Sequence, residues 1–419
     1  MSYSTNGIQT RYLEARNHSN SRTEFRLPDD IVALPSLRLI NVGLFGAIGS
    51  YSDSGVSAVI KRIYLYSGST LIDSLEDANI WSSVKATFSN NSENNYINRP
   101  LDKRRVGYSV YNTARVNIDK DDSGIVAAEN DESKKGYINL GSLLPILLEN
   151  GFSIDTSRMR ELRVVIDYDD DVKKLVSVGL NNTYSVSQPT LLFDEVVDEV
   201  LAKQIKDSIQ NINFTSIERD SVNISQGNQG SVQIFDKKFK FFDGKVVDKF
   251  LFMKQYVDTT TAYFNDGGHN NLGLGVYQSN VMDNEQINFT INGKPIFERP
   301  VFSDEHRAYL CAKSWGFNNV LPYETKLSDG VDNSRRFGSV AQVNSIGSPS
   351  DDFRVGSRSY MGFKLMDRVN SLQMRYQRSV PTDTNPIMPM YNQSLRLMLW
   401  AQVNKQLIIG KEGVLVRYL

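Results

Sequence analysis

Nucleophilic or metal chemistry in this chain would have to be built from His18, His269, His306 and Cys311, its only histidines and cysteine. Zinc sites need several His or Cys ligands at short spacing. The nearest approach is His306 and Cys311, five residues apart in "EHRAYLCAKSW". That pair reads as packing in a strand or loop, because buried Cys behaves as a small hydrophobe. The acidic run "DYDDD", Asp167 to Asp171, opens like a calcium loop. Counted from Asp167, however, the sixth position is Val172 where Gly is needed, and the twelfth is Val178 where Glu is needed. It reads as a strand end entering a solvated turn. No phosphate-cradling Gly-rich loop, dinucleotide fingerprint or nucleophile elbow occurs. No catalytic, cofactor or metal site is therefore expected. A carboxylate pair for glycoside hydrolysis leaves no local signature, and it keeps a carbohydrate-active protein as an alternative.

Two basic clusters remain: Lys103, Arg104 and Arg105 in "DKRRVG", and Arg11, Arg16, Arg22 and Arg26 near the amino terminus. Both are interleaved with acids or polar residues, which favours solvated or interface salt-bridging roles over phosphate binding. A formal net charge of −1 over 419 residues lacks the footprint of a protein that coats nucleic acid.

The scaffold for any of this must be large. A chain of 419 residues exceeds the size at which one core stops growing, so two domains are expected. Hydrophobic residues at 40%, with 20 Tyr and 20 Phe, supply apolar mass rich in strand formers. A single cysteine excludes an intrachain disulfide framework. The opening "MSYSTNGIQTRYLEARNHSN" has no apolar core of a signal peptide, and no run approaches a membrane span, so intracellular folding is expected. The sequons at Asn213 and Asn288 then carry no weight.

Apolar residues recur with a period of two or in short runs, as in "SAVIKRIYLYSG", "ELRVVIDYDD", "QINFTING" and "SLRLMLWAQV", punctuated by Gly, Asn, Asp and Ser. Many short strands with turn signals predict a mainly β protein of sandwiches or barrels. One long helix is expected over Asp194 to Gln210, with Val197, Leu201, Ile205 and Ile209 on one face and acids at its start. One or two helical turns on either side of Pro145 are expected in "LGSLLPILLENG". Long polar loops in both halves are candidates for contact with something else.

The halves repeat each other. "YLYSGSTLID" from Tyr64 and "FTINGKPIFE" from Phe289 align at an offset of 293 − 68 = 225 when Gly68 is set on Gly293. "ELRVVIDYDD" and "SLRLMLWAQV" align at 395 − 162 = 233 when Leu162 is set on Leu395. Two landmarks in the same order predict duplicated domains. The expected division is 1–190, a linking segment 191–213, and 214–419.

The segment "QPTLLFDEVVDEVLAKQIKDSIQNINFTSIERDSVNI", Gln188 to Ile224, resembles the joint between the domains of double jelly-roll major capsid proteins of the polinton-like virus, virophage and tailless-phage lineage. "GYINLGSLLPILLENG" before "LRVVIDY", "MGFKLMDRVNSLQMRYQ" and "LRLMLWAQVNKQLIIGKEGVLVRY" extend the resemblance along the chain. It implies two tandem eight-stranded jelly-roll β-sandwiches joined by a linker containing a helix. It also implies homotrimeric, pseudo-hexagonal capsomers tiling an icosahedral virion shell, with neighbouring capsomers, penton and minor capsid proteins as partners and no enzymatic activity. A minor capsid, penton or receptor-binding virion protein, and a two-domain carbohydrate-binding sandwich, are the alternatives. Aromatic and arginine anchors dominate interface energies, so the candidate contact residues are Trp81, Arg104, Arg105, Trp315, Phe317, Leu321 and Tyr323.

Overall fold

A computed structural model describes residues 7–45, 55–88, 135–148, 153–170, 185–207, 210–228, 230–256, 286–301, 304–315, 361–379, 394–410 and 413–419. In chain order, the first half holds β1 (Ile8–Glu14), β2 (Asn17–His18), β3 (Arg22–Arg26), β4 (Ile31–Val42), β5 (Leu44–Phe45), β6 (Ile60–Ser67) and β7 (Thr70–Glu76). Helix α1 (Ala78–Phe88) precedes β8 (Gly136–Asn139), β9 (Ser153–Asp155), β10 (Leu162–Tyr168), β11 (Ser185–Val186) and β12 (Thr190–Val196). Helix α2 (Glu199–Asp207) leads to β13 (Gln210–Ile224), β14 (Val232–Lys238), β15 (Val246–Tyr256), β16 (Gln286–Ile291) and β17 (Lys294–Pro295). Helix α3 (Asp304–Trp315) is followed by β18 (Met361–Arg368), β19 (Leu372–Ser379), β20 (Leu395–Gly410) and β21 (Gly413–Tyr418).

Pairing is antiparallel throughout these strands, and it gives the same plan twice. In the first half, β1-β12-β4-β8 form one sheet and β3-β10-β6-β7 the other, with β2 added beside β3 and β9 beside β4. In the second half the sheets are β13-β20-β15-β18 and β14-β19-β16-β17, with β21 added beside β20. Matched in chain order, the eight strands of each half occupy the same sheet positions. This is the arrangement of two jelly rolls in tandem, as the resemblance implied.

The hairpin repeat is real, but its register is 224 and not 225. Ser67 pairs with Thr70, so Gly68 is the first of two loop residues. Ile291 pairs with Lys294, so Gly293 is the second. In the first turn Gly68 has φ +56, whereas in the second both Asn292 (+51) and Gly293 (+78) are left-handed, as a type I′ turn requires. Matching main-chain bonds agree: Gly68 N–H donates to Glu161 O at 3.2 Å and Asn292 N–H to Ser371 O at 2.9 Å. A one-residue slip exchanges the faces of a strand. At 292 − 68 = 224, buried Ile63 and Leu65 fall on buried Ile287 and Phe289, whereas at 225 half-buried Tyr64 falls on Phe289.

The second landmark joined strands that are not counterparts. β10 corresponds to β19, because Leu27 N–H donates to Leu162 O as Phe239 N–H donates to Leu372 O, both at 2.9 Å. β20 corresponds to β12 instead. The sequences of β10 and β20 look alike because each contains a run buried on both faces: Val164 to Ile166 in one, Leu397 to Ala401 in the other.

The long helix is shorter than expected. Asp194 to Val196 complete β12, pairing with β1 and, for Asp194 and Glu195, with Ala33 and Val32 of β4. Asp198 then caps α2, its Oδ1 accepting from Val200 N and Leu201 N at 2.9 Å each. No described residue of α2 is fully buried, although Ala202 and Ile205 are half-buried and the helix contacts β9. The turns around Pro145 occur as short 3-10 segments, Leu140–Ser142 and Pro145–Leu147. Helix α3 arises where a strand or loop was expected, and α1 is a further helix not anticipated from the sequence. Among the described side chains of α3, Arg307, Cys311 and Ser314 are buried.

Candidate functional site

Two apolar cores result. One lies inside the second roll, around Phe250, Phe252, Phe289, Tyr376, Leu399 and Val403. The other fills the first roll and continues into the second through Ile212, Phe214, Leu251, Met253, Met398, Trp400 and Leu407. The faces of β15 and β20 explain the continuity. Leu397, Leu399 and Ala401 point into the second roll, while Met398 and Trp400 point to the first. The seam between the rolls is thus built like an interior.

All three tryptophans of the chain meet there. Trp81 of α1 stands 5.2 Å from Trp400 of β20 and 5.5 Å, edge-on, from Trp315 of α3, measured between ring centroids. Trp315 Nε1 donates to Phe250 O at 2.9 Å, and Lys249 Nζ lies 4.6 Å from the Trp315 ring centroid. Trp81 is 2% exposed in the single chain. It is covered by the chain's own residues. Trp315 is half-buried in the same cluster. Arg104, Arg105, Phe317, Leu321 and Tyr323 lie outside the described residues.

A polar network crosses the seam beside the tryptophans. Asp73 of β7 is fully buried and its Oδ1 accepts from Ser216 Oγ of β13 at 2.5 Å. Lys405 Nζ of β20 donates to the same hydroxyl at 3.1 Å and lies 2.7 Å from Glu218. Glu218 also binds Lys245 at 2.7 Å and accepts from Tyr418 OH at 2.9 Å. Nearby, Asp77 at the start of α1 pairs with Arg219 at 2.8 Å and Arg396 at 3.0 Å, both from the second roll.

The environment tunes these groups in opposite directions. Burial pushes the Asp73 carboxyl up to about 6, with Lys405 and Ser216 acting against it. Burial also opposes ionisation of Glu218, but Lys405 and Lys245 outweigh it and hold that carboxyl below its ordinary range. Tyr418 is raised by burial and by the neighbouring Glu218 charge. Glu218 is paired with Lys245 and Lys405 of its own roll, and Asp77 with Arg219 and Arg396 of the other. The arrangement fastens two sandwiches together and presents no nucleophile.

The residues first considered for chemistry are dispersed. His306 is exposed on α3, whereas Cys311 is buried on the same helix and burial raises its thiol well above the ordinary value. Among the described residues no group of three or more His, Cys, Asp or Glu could hold a metal ion. Asp169 of the acidic run is buried and accepts from Asn79 Nδ2 at 2.8 Å. Three of the amino-terminal arginines are salt-bridged, Arg11 to Glu195 at 2.5 Å, Arg22 to Asp167 at 3.6 Å and Arg26 to Glu161 at 2.8 Å.

No family model and no curated protein matches the sequence. Solved structures do share its fold. The crystal structure of VP54 from PBCV-1, fitted into a reconstruction of the virophage Sputnik, has a TM-score of 0.59 at 11% identity, covering 100% of this chain and 98% of that one. A structure of the Sputnik virophage gives 0.58 at 10% identity, covering 99% and 88%. The mavirus major capsid protein gives 0.56 at 10% identity, covering 98% and 90%. The likeness is one of fold along the whole chain.

Proposed function

We propose that the chain is a structural viral protein, the major capsid subunit of an icosahedral shell, forming pseudo-hexagonal homotrimers and having no catalytic role. The observation that carries this reading is the jelly-roll plan repeated twice in one chain, a fold shared over its full length with the capsid proteins of PBCV-1, Sputnik and mavirus. Three such chains hold six similar rolls, so a trimer suits a lattice position with six neighbours. Penton and minor capsid proteins are the further partners of this reading, and the virion is its location. In it, the first roll runs through Val196, residues 197–209 form the link, and the second roll begins at Gln210. The ends of β12 and β13 favour these limits over 190 and 213.

The seam gives the reading a physical basis. A shared core and a buried ionic network make the two rolls one rigid building block, which a shell subunit needs. Light scattering on the purified chain across a concentration series tests the proposal. The expected result is a species of three times the 47.3 kDa chain mass. A monomer at every concentration would overturn it.

A further inference from the structure

His18 of β2 stands in a hydrogen-bonded chain whose direction is fixed at both ends. Its Nε2 lies 3.0 Å from Val186 O of β11. A carbonyl only accepts, so Nε2 carries a proton and donates it. Its Nδ1 lies 2.8 Å from Thr23 Oγ1 of β3, and that oxygen lies 2.7 Å from Tyr168 OH of β10. Burial raises the Tyr168 hydroxyl, which therefore keeps its proton. With the imidazole neutral every group is served: Tyr168 OH donates to Thr23 Oγ1, and the Thr23 hydroxyl donates to His18 Nδ1. Thr23 is 0% exposed and Tyr168 5%, so neither hydroxyl can turn to solvent instead. The same turn holds the main chain of β11. Val186 O accepts from His18, and Val186 N–H donates to Asn20 Oδ1 at 3.0 Å, so both groups of that peptide unit are engaged. Among the described strands β11 pairs only with the two-residue β5. His18 and Asn20 thus fasten this small piece to the sheet that contains β2 and β3.

We propose that His18 is an acid-sensitive clip, whose protonation reverses this hydrogen-bonded chain and loosens β11 from the first roll. A proton taken up from water at Nδ1 turns that acceptor into a donor toward Thr23 Oγ1. The Thr23 hydroxyl must then donate to Tyr168, and the Tyr168 proton is left buried without an acceptor. No carboxylate offsets the new charge. β3 carries Arg22, Glu24 and Arg26, and β10 carries Arg163 and Asp167, on the face opposite Thr23 and Tyr168. They are engaged elsewhere: Arg22 with Asp167 at 3.6 Å, Arg163 with Glu24 at 3.3 Å and Arg26 with Glu161 at 2.8 Å. Asp169, after β10, is held by Asn79. Glu14 and Arg16, before β2, are exposed, and β5 and β11 contain no charged residue. A base that folding holds neutral contributes stability at high pH that is lost as pH falls. The buried Asp73 carboxyl of the seam responds in the opposite sense, so acid moves the weak point from the seam to this end of the first roll. The device belongs to the single chain and stands apart from the capsomer reading.

Hydrogen exchange read by mass spectrometry on the dilute full-length chain, from about pH 8 to about pH 5, tests the clip. Protection of the peptide containing Val186 is divided by protection of the peptide containing Phe289 of β16 in the same sample, which cancels the chemical dependence of exchange on pH. In wild type this ratio is expected to fall about tenfold as the pH drops, the effect of one buried donor left unsatisfied. His18→Gln and Thr23→Val cannot run the reversal. Each is expected to start from a lower ratio, because a bond is already lost, and to change by less than about twofold over the same range. His306→Gln, at an exposed position of α3, is expected to follow wild type. A wild-type ratio that stays level overturns the proposal, and that measurement needs no variant to fold. An undiminished fall in His18→Gln, or loss of the fall in His306→Gln, overturns it as well, because another group would then be the sensor.

Discussion

Asp73 of the first roll and Ser216 of the second form a buried hydrogen bond, Ser216 Oγ donating to Asp73 Oδ1 at 2.5 Å across the seam. The other carboxyl oxygen, Oδ2, is buried without a hydrogen-bond partner. A carboxyl in that position binds its proton more tightly folded than unfolded, which is why it is raised from 3.8 to about 6.

The sign of the resulting pH dependence follows from linkage. A carboxyl whose folded value lies above its unfolded value contributes stability at low pH that is lost as pH rises toward the folded value. Here the window runs from about pH 4 to about pH 6, and a shift of that size corresponds to roughly 3 kcal/mol. Asp73→Asn keeps the acceptor for Ser216 and cannot ionise. Urea unfolding should show the variant gaining on wild type between pH 4 and pH 7 by a few kcal/mol. Parallel pH profiles for the two proteins would refute the assignment.

Glu218 should behave in the opposite sense. Its folded value is held below 4.5 by Lys405 and Lys245 against the effect of burial, so its contribution is present above that pH and lost as pH falls. Replacing it with Gln leaves two mostly buried lysines without their shared counter-charge, and removing one member of such a cluster costs about 3–5 kcal/mol. Glu218→Gln is expected to lower the unfolding midpoint clearly at pH 7. Glu218→Gln with Lys405→Met should cost less than the sum of the single changes, which a double-mutant cycle measures directly.

Most of the architecture was legible in the sequence because alternation reports a half-buried strand wherever one face meets water. Phe289 and Ile291 against Asn288 and Thr290 are such a case. The register of the repeat was not legible, because Gly68 and Gly293 fill different positions of their turns, which the strand pairing and backbone angles reveal. The pairing of β10 with β20 failed for a related reason: a strand buried on both faces loses its alternation, and one such strand resembles another. Helix α3 hid in part because a charged residue, Arg307, and a serine, Ser314, are among its buried positions, where sequence periodicity looks for apolar ones. The seam network needs residues far apart in the chain to meet, as Asp73 and Lys405 do around Ser216. One clue was present, since Lys405 falls in phase with Leu407 and Ile409, at an inward position of an otherwise apolar alternation.

The two turns offer a direct comparison. A Cβ at Gly68 would lie 3.2 Å from Arg160 O with φ +56, whereas at Gly293 nothing lies within 4 Å and only φ +78 opposes it. Left-handed backbone costs a non-glycine residue about 1–2 kcal/mol, and Asn less than most. Gly68→Ala should therefore destabilise by more than Gly293→Ala, and Gly293→Asn should be nearly neutral. Thermal midpoints of the three variants check the order. Equal effects of the two alanine changes would mean that the contact with Arg160 O relaxes freely.

The tryptophan cluster separates folding from assembly. Truncating a buried tryptophan typically costs about 3–5 kcal/mol through lost contacts and an unfilled cavity. Trp81 is 2% exposed and touches both other tryptophans, so Trp81→Ala should lower the unfolding midpoint of the dilute, unassembled chain. Trp81→Phe, which keeps an aromatic ring, should recover part of it. Trp315→Ala should act in the same way but less, since Trp315 is only half-buried, its lost bond to Phe250 O making up part of the difference. Intrinsic fluorescence gives the second readout, because each variant removes one emitter from a cluster of three and opens the others to water. If Trp81→Ala left the midpoint of the isolated chain unchanged and weakened only assembly, the ring would have to lie at a contact between chains and not in the seam between the two rolls.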